Sequence, residues 1–506
     1  MKRQGNCELP IAKLRIRQAL VALATALIIC VSSVASFAQE PLDRTKAPVP
    51  GPNPTLRVPA WTKTQLPNGA TLIVSERHDL PLVSFNISFI GGGNQFEPAG
   101  KRGVAALTTS MMSEGTKTRT GDQLSDALQL LGTNIGAGIS GEEGSVSFVS
   151  TTKNFEPTLA ILADMMLNST FPAEALERLR ARTLVNLTQA KDQPAAISSQ
   201  VFAKILYGEA HPYGQRTTEA SVKSITRDDV MAFAKAYFQP GRAIITVVGD
   251  VTPLKAKAAI QKGLAAWTKA GDKPAFDYPK LPELQTAKIY LVDKPGAAQS
   301  VFNIGLPGPP RNTPDFYAIQ VMNTILGGMF QSRLNANIRE QKGYSYGVNS
   351  SFAFGKGPGA FRAGGAIVSA KTDLALIEFM KELKGIVGDM PITDAEIKVA
   401  KDSLVQRLPQ RFASSTGISD AITGIEIWNL PDDYYQTYAK NIAAVTKEDL
   451  LRVAKRYIDL NHLAIVIVGD RATIEGPLKA TNIAPITIID IDGNPVSGGG
   501  APSSSN

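Results

Sequence analysis

Two stretches of this chain, 220 positions apart, are close copies of one another. Residues 224–250 read SITRDDVMAFAKAYFQPGRAIITVVGD, and residues 444–470 read AVTKEDLLRVAKRYIDLNHLAIVIVGD. They align without a gap and share Thr226/Thr446, Asp229/Asp449, Ala234/Ala454, Lys235/Lys455, Tyr237/Tyr457 and the closing Val-Gly-Asp. An internal repeat of this length points to an architecture built twice.

The chemistry of the unit is legible in both copies. Thr226 with Asp229, and Thr446 with Asp449, are spaced as capping boxes, in which a hydroxyl accepts the amide three residues on and the carboxylate reaches back. Val230, Phe233, Ala234 and Tyr237 then form one apolar stripe of a helix. A β-branched strand ending at Gly-Asp follows. FNISF at 85–89 and FNIGL at 302–306 open the two halves in the same way, each before a Gly/Pro-rich loop. Helical patterns cover 155–168, 173–207, 371–388 and 392–410, with strand patterns near 144–151 and 360–368. The expected fold is α+β: two homologous two-layer α/β lobes produced by duplication. The boundaries fall at 61–266 for the first lobe, 267–287 for a Pro/Lys/Gly-rich linker and 288–480 for the second. A tail follows over 481–506, its end SGGGAPSSSN low-complexity and expected to be disordered.

The first 38 residues run from a basic segment through the apolar ALVALATALIIC to Ser36-Phe37-Ala38, the order of a secretory signal peptide. Retention of that run as a membrane anchor, and a lipoprotein reading through Cys30, are the weaker alternatives. The expected mature chain has a Pro-rich extension over 39–60 and a periplasmic location. Cys7 and Cys30 both fall in the leader, so the mature protein has no thiol or disulfide chemistry. The leader also holds five basic residues and one acidic, which reduces the formal +8 to about +4. So mild a charge excludes a dedicated nucleic-acid surface.

Further motifs carry a resemblance. GGGNQFEPAGKRGVAALTTSMMSEGT in the first half, LGGMFQSRLNANIREQKGYSYGVNSSF in the second, DQP at 192–194, HPYG at 211–214 and the paired Val-Gly-Asp ends stand in an order and spacing that resembles the pitrilysin/insulinase family of zinc peptidases. The resemblance implies a clam-like half-chamber. It also implies H-x-x-E-H on the helix after the glycine loop, where residues four apart let two imidazoles grip zinc and the Glu activate water. This chain has Ala106, Thr109 and Ser110 there, and Asn186 where the third ligand, a Glu, is expected. No alignment is needed for the same conclusion: His78, His211 and His462 are the only histidines, and none is four residues from another. Each reads as structural.

The second half keeps what the first has lost. Arg339 and Tyr346 match the Arg/Tyr pair that the resemblance implies for completing a catalytic site across the chamber, with Tyr344 the nearby competitor. A guanidinium and a phenol can both donate to the oxyanion formed when a peptide carbonyl is attacked. Gly327 and Gly328 are weaker substrate-binding candidates. The implied role is a non-catalytic subunit that binds no cofactor itself. Its partner is a homologous H-x-x-E-H chain that holds the zinc, and its substrates are unfolded or short peptides. The alternative is a structural or peptide-binding protein without chemistry. A peptidase active alone lacks a base, because neither Thr109 nor Ser110 has a histidine nearby in sequence.

Overall fold

The capping boxes form as their spacing indicates. The computed structural model describes residues 56–496 apart from 269, 273 and 276. Thr226 Oγ1 accepts the Asp229 N–H at 3.2 Å and Asp229 Oδ2 accepts the Thr226 N–H at 2.7 Å; Thr446 and Asp449 repeat this at 3.2 and 3.1 Å. Each box starts a helix, Arg227–Tyr237 or Lys447–Tyr457, that buries its apolar stripe and leads into a strand. The expected leader, most of the Pro-rich extension and the low-complexity tail end lie outside the described residues.

The first sheet comprises β1 (Thr62–Gln65), β2 (Thr71–Glu76), β3 (Leu82–Ile90), β4 (Ile135–Ile139), β5 (Glu143–Thr151) and β6 (Ala243–Gly249), in the order β1-β2-β6-β3-β5-β4. The second comprises β7 (Lys288–Asp293), β8 (Gln299–Pro307), β9 (Ser345–Phe352), β10 (Ala360–Val368), β11 (Ala464–Gly469) and β12 (Ile486–Ile489), in the order β12-β7-β11-β8-β10-β9. Both have a parallel pair at the same place, β2 with β6 and β7 with β11, and the second sheet adds another in β12 with β7. The duplication read from the sequence is therefore a duplication of topology, and the α+β expectation holds. β12 pairs with β7, so the second sheet takes in residues beyond the boundary expected at 480.

The run expected to be helical over 173–207 is two helices, Ala173–Ala190 and Pro194–Tyr207, because Pro194 starts a new helix at a position that needs no amide donor. The two part company. Ala173–Ala190 packs in the first lobe through Leu176 and Leu179. Pro194–Tyr207 crosses to the second sheet, where Ile197, Val201, Phe202 and Leu206 bury against Val292, Val466 and Val468. In return Ser415–Ile427, from the second half, covers the first sheet: Ile418 and Ile422 join a core with Ile73, Ile244 and Val248, and Thr423 hydrogen-bonds Thr246 at 2.7 Å. Each lobe thus borrows one helix from the other. β6 and β11 are buried along their whole length because both faces are covered, which is why they read as unbroken apolar runs. At about 1.5–3 kcal/mol per large apolar side chain, the exchange ties the halves together firmly.

Candidate functional site

In the first lobe the helix Val104–Met111 starts at Gly103, whose φ of +101° suits glycine. Glu97 anchors the start: its Oε1 accepts the Gly103 and Ala105 amides at 2.8 and 2.9 Å, and its Oε2 pairs with Arg102 at 3.2 Å. Ala106 and Ser110, four apart, are exposed on one face, and Asn186 is exposed on the neighbouring helix Ala173–Ala190. Thr109 is buried, and its hydroxyl donates to the Ala105 and Ala106 carbonyls at 3.3 and 3.1 Å. A methyl, a hydroxyl spent on its own helix, a serine and an amide do not fit zinc, which takes imidazole, thiolate or carboxylate donors. Among the described residues no cluster of three or more His, Cys, Asp or Glu is arranged to hold a metal ion.

The histidines are occupied elsewhere. His78 is exposed between Asp250 and Glu76, at 2.7 and 2.8 Å, and hydrogen bonds to those carboxylates raise its pKa. His211 is fully buried between the rings of Tyr207 and Tyr278, its Nδ1 accepting the Tyr213 amide at 3.1 Å, and burial lowers its pKa. His462 pairs with Asp459 at 2.6 Å.

The second lobe gathers its candidates along β9, an edge strand. Residues 324–328 form a wide helical turn that presses on it: a Cβ at Gly327 would stand 2.3 Å from the Ser350 amide nitrogen. Gly328, one residue on, is exposed. A second wide turn, Ala336–Gln341, carries Arg339. Its guanidinium carbon lies 4.3 Å from the centroid of the Phe330 ring, and its Nη1 is 2.9 Å from Glu340 Oε1 in an ion pair without hydrogen-bond alignment. Beneath it Asn337 donates to Glu378 and Glu382 at 2.9 and 2.7 Å; burial holds the Glu382 carboxyl above its ordinary pKa.

Tyr346 is 91 % exposed on β9. Tyr344, the competing tyrosine, is placed differently. It precedes the strand and is half-buried against the second core, its ring 5.8 Å from Lys371 Nζ. β9 also carries a bulge: opposite Gly365 and Ile367 of β10 stand Val348 and Ser345, so β9 has one extra residue at Tyr346–Gly347. Ser345 Oγ stabilises it, accepting the Gly347 amide at 3.0 Å and donating to the Ala366 carbonyl at 2.6 Å. Bulges re-aim side chains, and this one turns Tyr346 out to solvent.

One residue the sequence did not single out joins these pieces. Asn335, 4 % exposed, donates from Nδ2 to the Phe330 carbonyl at 2.8 Å and accepts the Val348 amide at Oδ1 at 3.3 Å. It links the glycine loop, the turn with Arg339 and the strand with Tyr346. Only its place between the quoted glycine and Arg/Tyr motifs could have flagged it. Ala106, Thr109, Ser110 and Asn186 belong to the helical layer of the first lobe; Gly327, Gly328, Arg339 and Tyr346 converge on β9 of the second.

Two family descriptions match the regions so built. Residues 76–213 match Insulinase (Peptidase family M16), and residues 224–404 match the Peptidase M16 inactive domain. The chain belongs to the insulinase family of peptidases. Within that family it is 25 % identical to an uncharacterized zinc protease of Mycobacterium leprae over 344 residues, 68 % of this chain and 77 % of that one. It is 22 % identical to a Helicobacter pylori protein named a non-peptidase homolog, over 79 % of this chain and 92 % of that one. The fold superimposes on a Pseudomonas fluorescens structure described as a peptidase M16 inactive domain with a TM-score of 0.75 at 25 % identity, covering 81 % of this chain and 98 % of that one. The Escherichia coli periplasmic protease PqqL gives a TM-score of 0.68 at 19 % identity, over 83 % of this chain and 46 % of PqqL. As an insulinase-family member the chain keeps the fold and lacks zinc-binding side chains at the positions expected to hold the metal.

Proposed function

We propose that this chain is the non-catalytic subunit of a two-chain zinc peptidase that cleaves unfolded or short peptides in the periplasm. The observation that carries the reading is the contrast between the lobes. The first presents Ala106, Ser110 and Asn186 where zinc ligands are expected, while the second holds Arg339 on Phe330 and turns Tyr346 into solvent through a bulge. An exposed tyrosine on a bulged edge strand has no packing role to explain it. In this reading a homologous partner bearing H-x-x-E-H supplies metal and base. Arg339 and Tyr346 donate to the oxyanion of the peptide under attack, and Gly327 and Gly328 line the approach.

The solvent face of β9, where Tyr346, Gly347, Asn349 and Ser351 are exposed, favours a second reading, in which a peptide is held there and no chemistry follows. Co-expression with an H-x-x-E-H homologue separates the two. The first reading expects an equimolar complex that cleaves peptides, loses most activity on Arg339→Ala or Tyr346→Phe, and keeps its zinc in the partner after dialysis. A complex in which both variants cleave normally overturns the catalytic role of the pair.

A further inference from the structure

The duplication makes each polar group in one lobe comparable with its counterpart in the other. Asn86 of β3 and Asn303 of β8 are such a pair: they hold the same place in FNISF and FNIGL, and lie opposite Thr246 of β6 and Val466 of β11. Ser198 and Ser419 are another, each the fifth residue of an exchanged helix and each following a buried isoleucine.

In the second lobe these groups form a closed network. Asn303 Nδ2 donates to Ser198 Oγ at 2.7 Å, and Asn303 Oδ1 accepts from Arg362 Nε, whose Nη1 donates to Asn349 Oδ1 at 3.0 Å. The first lobe keeps the asparagine and the helix serine but not the arginine, and has Gly136 in the place of Asn349. Arg362 stands opposite Gly305, two residues beyond Asn303; two residues beyond Asn86 is Ser88, and opposite it stands Ser145. The short serine leaves a groove of about 460 Å³ between the sheet and the helix Ser415–Ile427. Asn86 Oδ1 is buried there without a hydrogen-bond partner, and so is Ser419 Oγ, on a residue 1 % exposed. Asn86 Nδ2 has turned to Ser88 Oγ at 2.9 Å.

The unmet groups call for donors. Glu143 and Asp420 line the same groove, and their carboxylates make no hydrogen bond or ion pair among the described residues. Burial raises the pKa of both, and Asp420 adds to the effect on Glu143. Lys356 and Arg411 are the cations whose charges reach them, but Lys356 is directed at the Ile427 carbonyl and the Trp428 ring. A buried acceptor without a donor is costly, and a planar five-donor cation suits a groove lined by an amide oxygen and two carboxylates.

We propose that this groove binds a guanidinium group supplied by a ligand, which takes the place that Arg362 fills in the other lobe and donates to Asn86 Oδ1, with Glu143 and Asp420 as counter-charges. The inference holds whether or not the chain joins a peptidase. The guanidinium comes from a free small molecule or from an arginine side chain of a polypeptide.

Calorimetric titration of the full chain with L-arginine amide, and with L-citrulline amide as the neutral isostere, tests it. Arginine amide binds saturably, and citrulline amide binds at least ~10-fold more weakly. Asp420→Asn, which removes a carboxylate charge and keeps the side chain's size, weakens arginine amide by at least ~10-fold. Ser145→Arg supplies the missing group within the chain, abolishes binding and raises the melting temperature; if that variant does not fold, Asp420→Asn decides. A capped Ala-Ala-Arg-Ala-Ala peptide that binds more tightly than arginine amide identifies a polypeptide source, and one that binds more weakly a free small molecule. No saturation by ~10 mM arginine amide, equal binding of citrulline amide, or unchanged binding by Asp420→Asn overturns the proposal.

Discussion

The Arg339 guanidinium rests on the Phe330 ring, 4.3 Å from its centroid, although that ring is itself 65 % exposed. A cation held over an exposed aromatic ring is fixed in direction while its outward N–H groups stay available. At about 0.5–1 kcal/mol for such a contact, Phe330→Ala is expected to lower kcat/KM of the assembled peptidase about 2- to 5-fold with little change in melting temperature. Arg339→Ala removes the donor itself and is expected to cost ~10²–10³-fold. Steady-state cleavage of a quenched fluorescent peptide by the complex checks both.

Asn335→Ala leaves the Phe330 carbonyl and the Val348 amide without their partner. The expected loss is about 2–4 kcal/mol of unfolding free energy in urea, since each abandoned buried group costs about 1–3 kcal/mol. Faster amide exchange over 326–330 and at Val348 should accompany it. Unchanged exchange there would rule out the linking role.

Gly327→Ala tests how closely the glycine turn approaches β9. The added Cβ would stand 2.3 Å from the Ser350 nitrogen and 2.4 Å from its Oγ, so backbone must shift. About 1–3 kcal/mol of destabilisation is expected in chemical denaturation. Gly328→Ala, whose added carbon would stand 3.0 Å from Asn323 Nδ2 and 3.1 Å from the Asn323 carbonyl oxygen, a less severe approach, should cost less.

Acidification should destabilise the protein through His211. Burial lowers its folded pKa below the ordinary 6.5, so the unfolded chain binds the proton more readily. This contribution is complete above pH 6.5 and is lost as pH falls through 6.5 toward the folded value. His78 works in the opposite sense: its pKa is raised by Asp250 and Glu76, so what it contributes is present below 6.5 and lost as pH rises through its folded value. His211→Gln should flatten the fall in melting temperature between about pH 7 and pH 5, and His78→Gln should steepen it.

Much of this molecule could be read from its residues alone. Capping boxes, a 3.6-residue apolar stripe and β-branched strands are local patterns, and their recurrence 220 positions on established the two-lobe α+β fold. Residue identity likewise shows that Ala106, Thr109, Ser110 and Asn186 offer no zinc donor set where the resemblance implies one, because no fold makes a zinc ligand of a methyl group. Tertiary structure alone decided which surface each apolar stripe meets. Nothing in the periodicity of Pro194–Tyr207 or Ser415–Ile427 says that each crosses to the other half's sheet, since a helical stripe specifies a face to bury and not the partner that buries it. The bulge at Tyr346–Gly347 depends on one extra residue in the pairing of β9 with β10, which alternation within a single strand does not contain. The same holds for Asn86 and Ser419: each is an ordinary polar residue in sequence, and their lack of partners exists only because the strand, the exchanged helix and the short Ser145 meet around one groove.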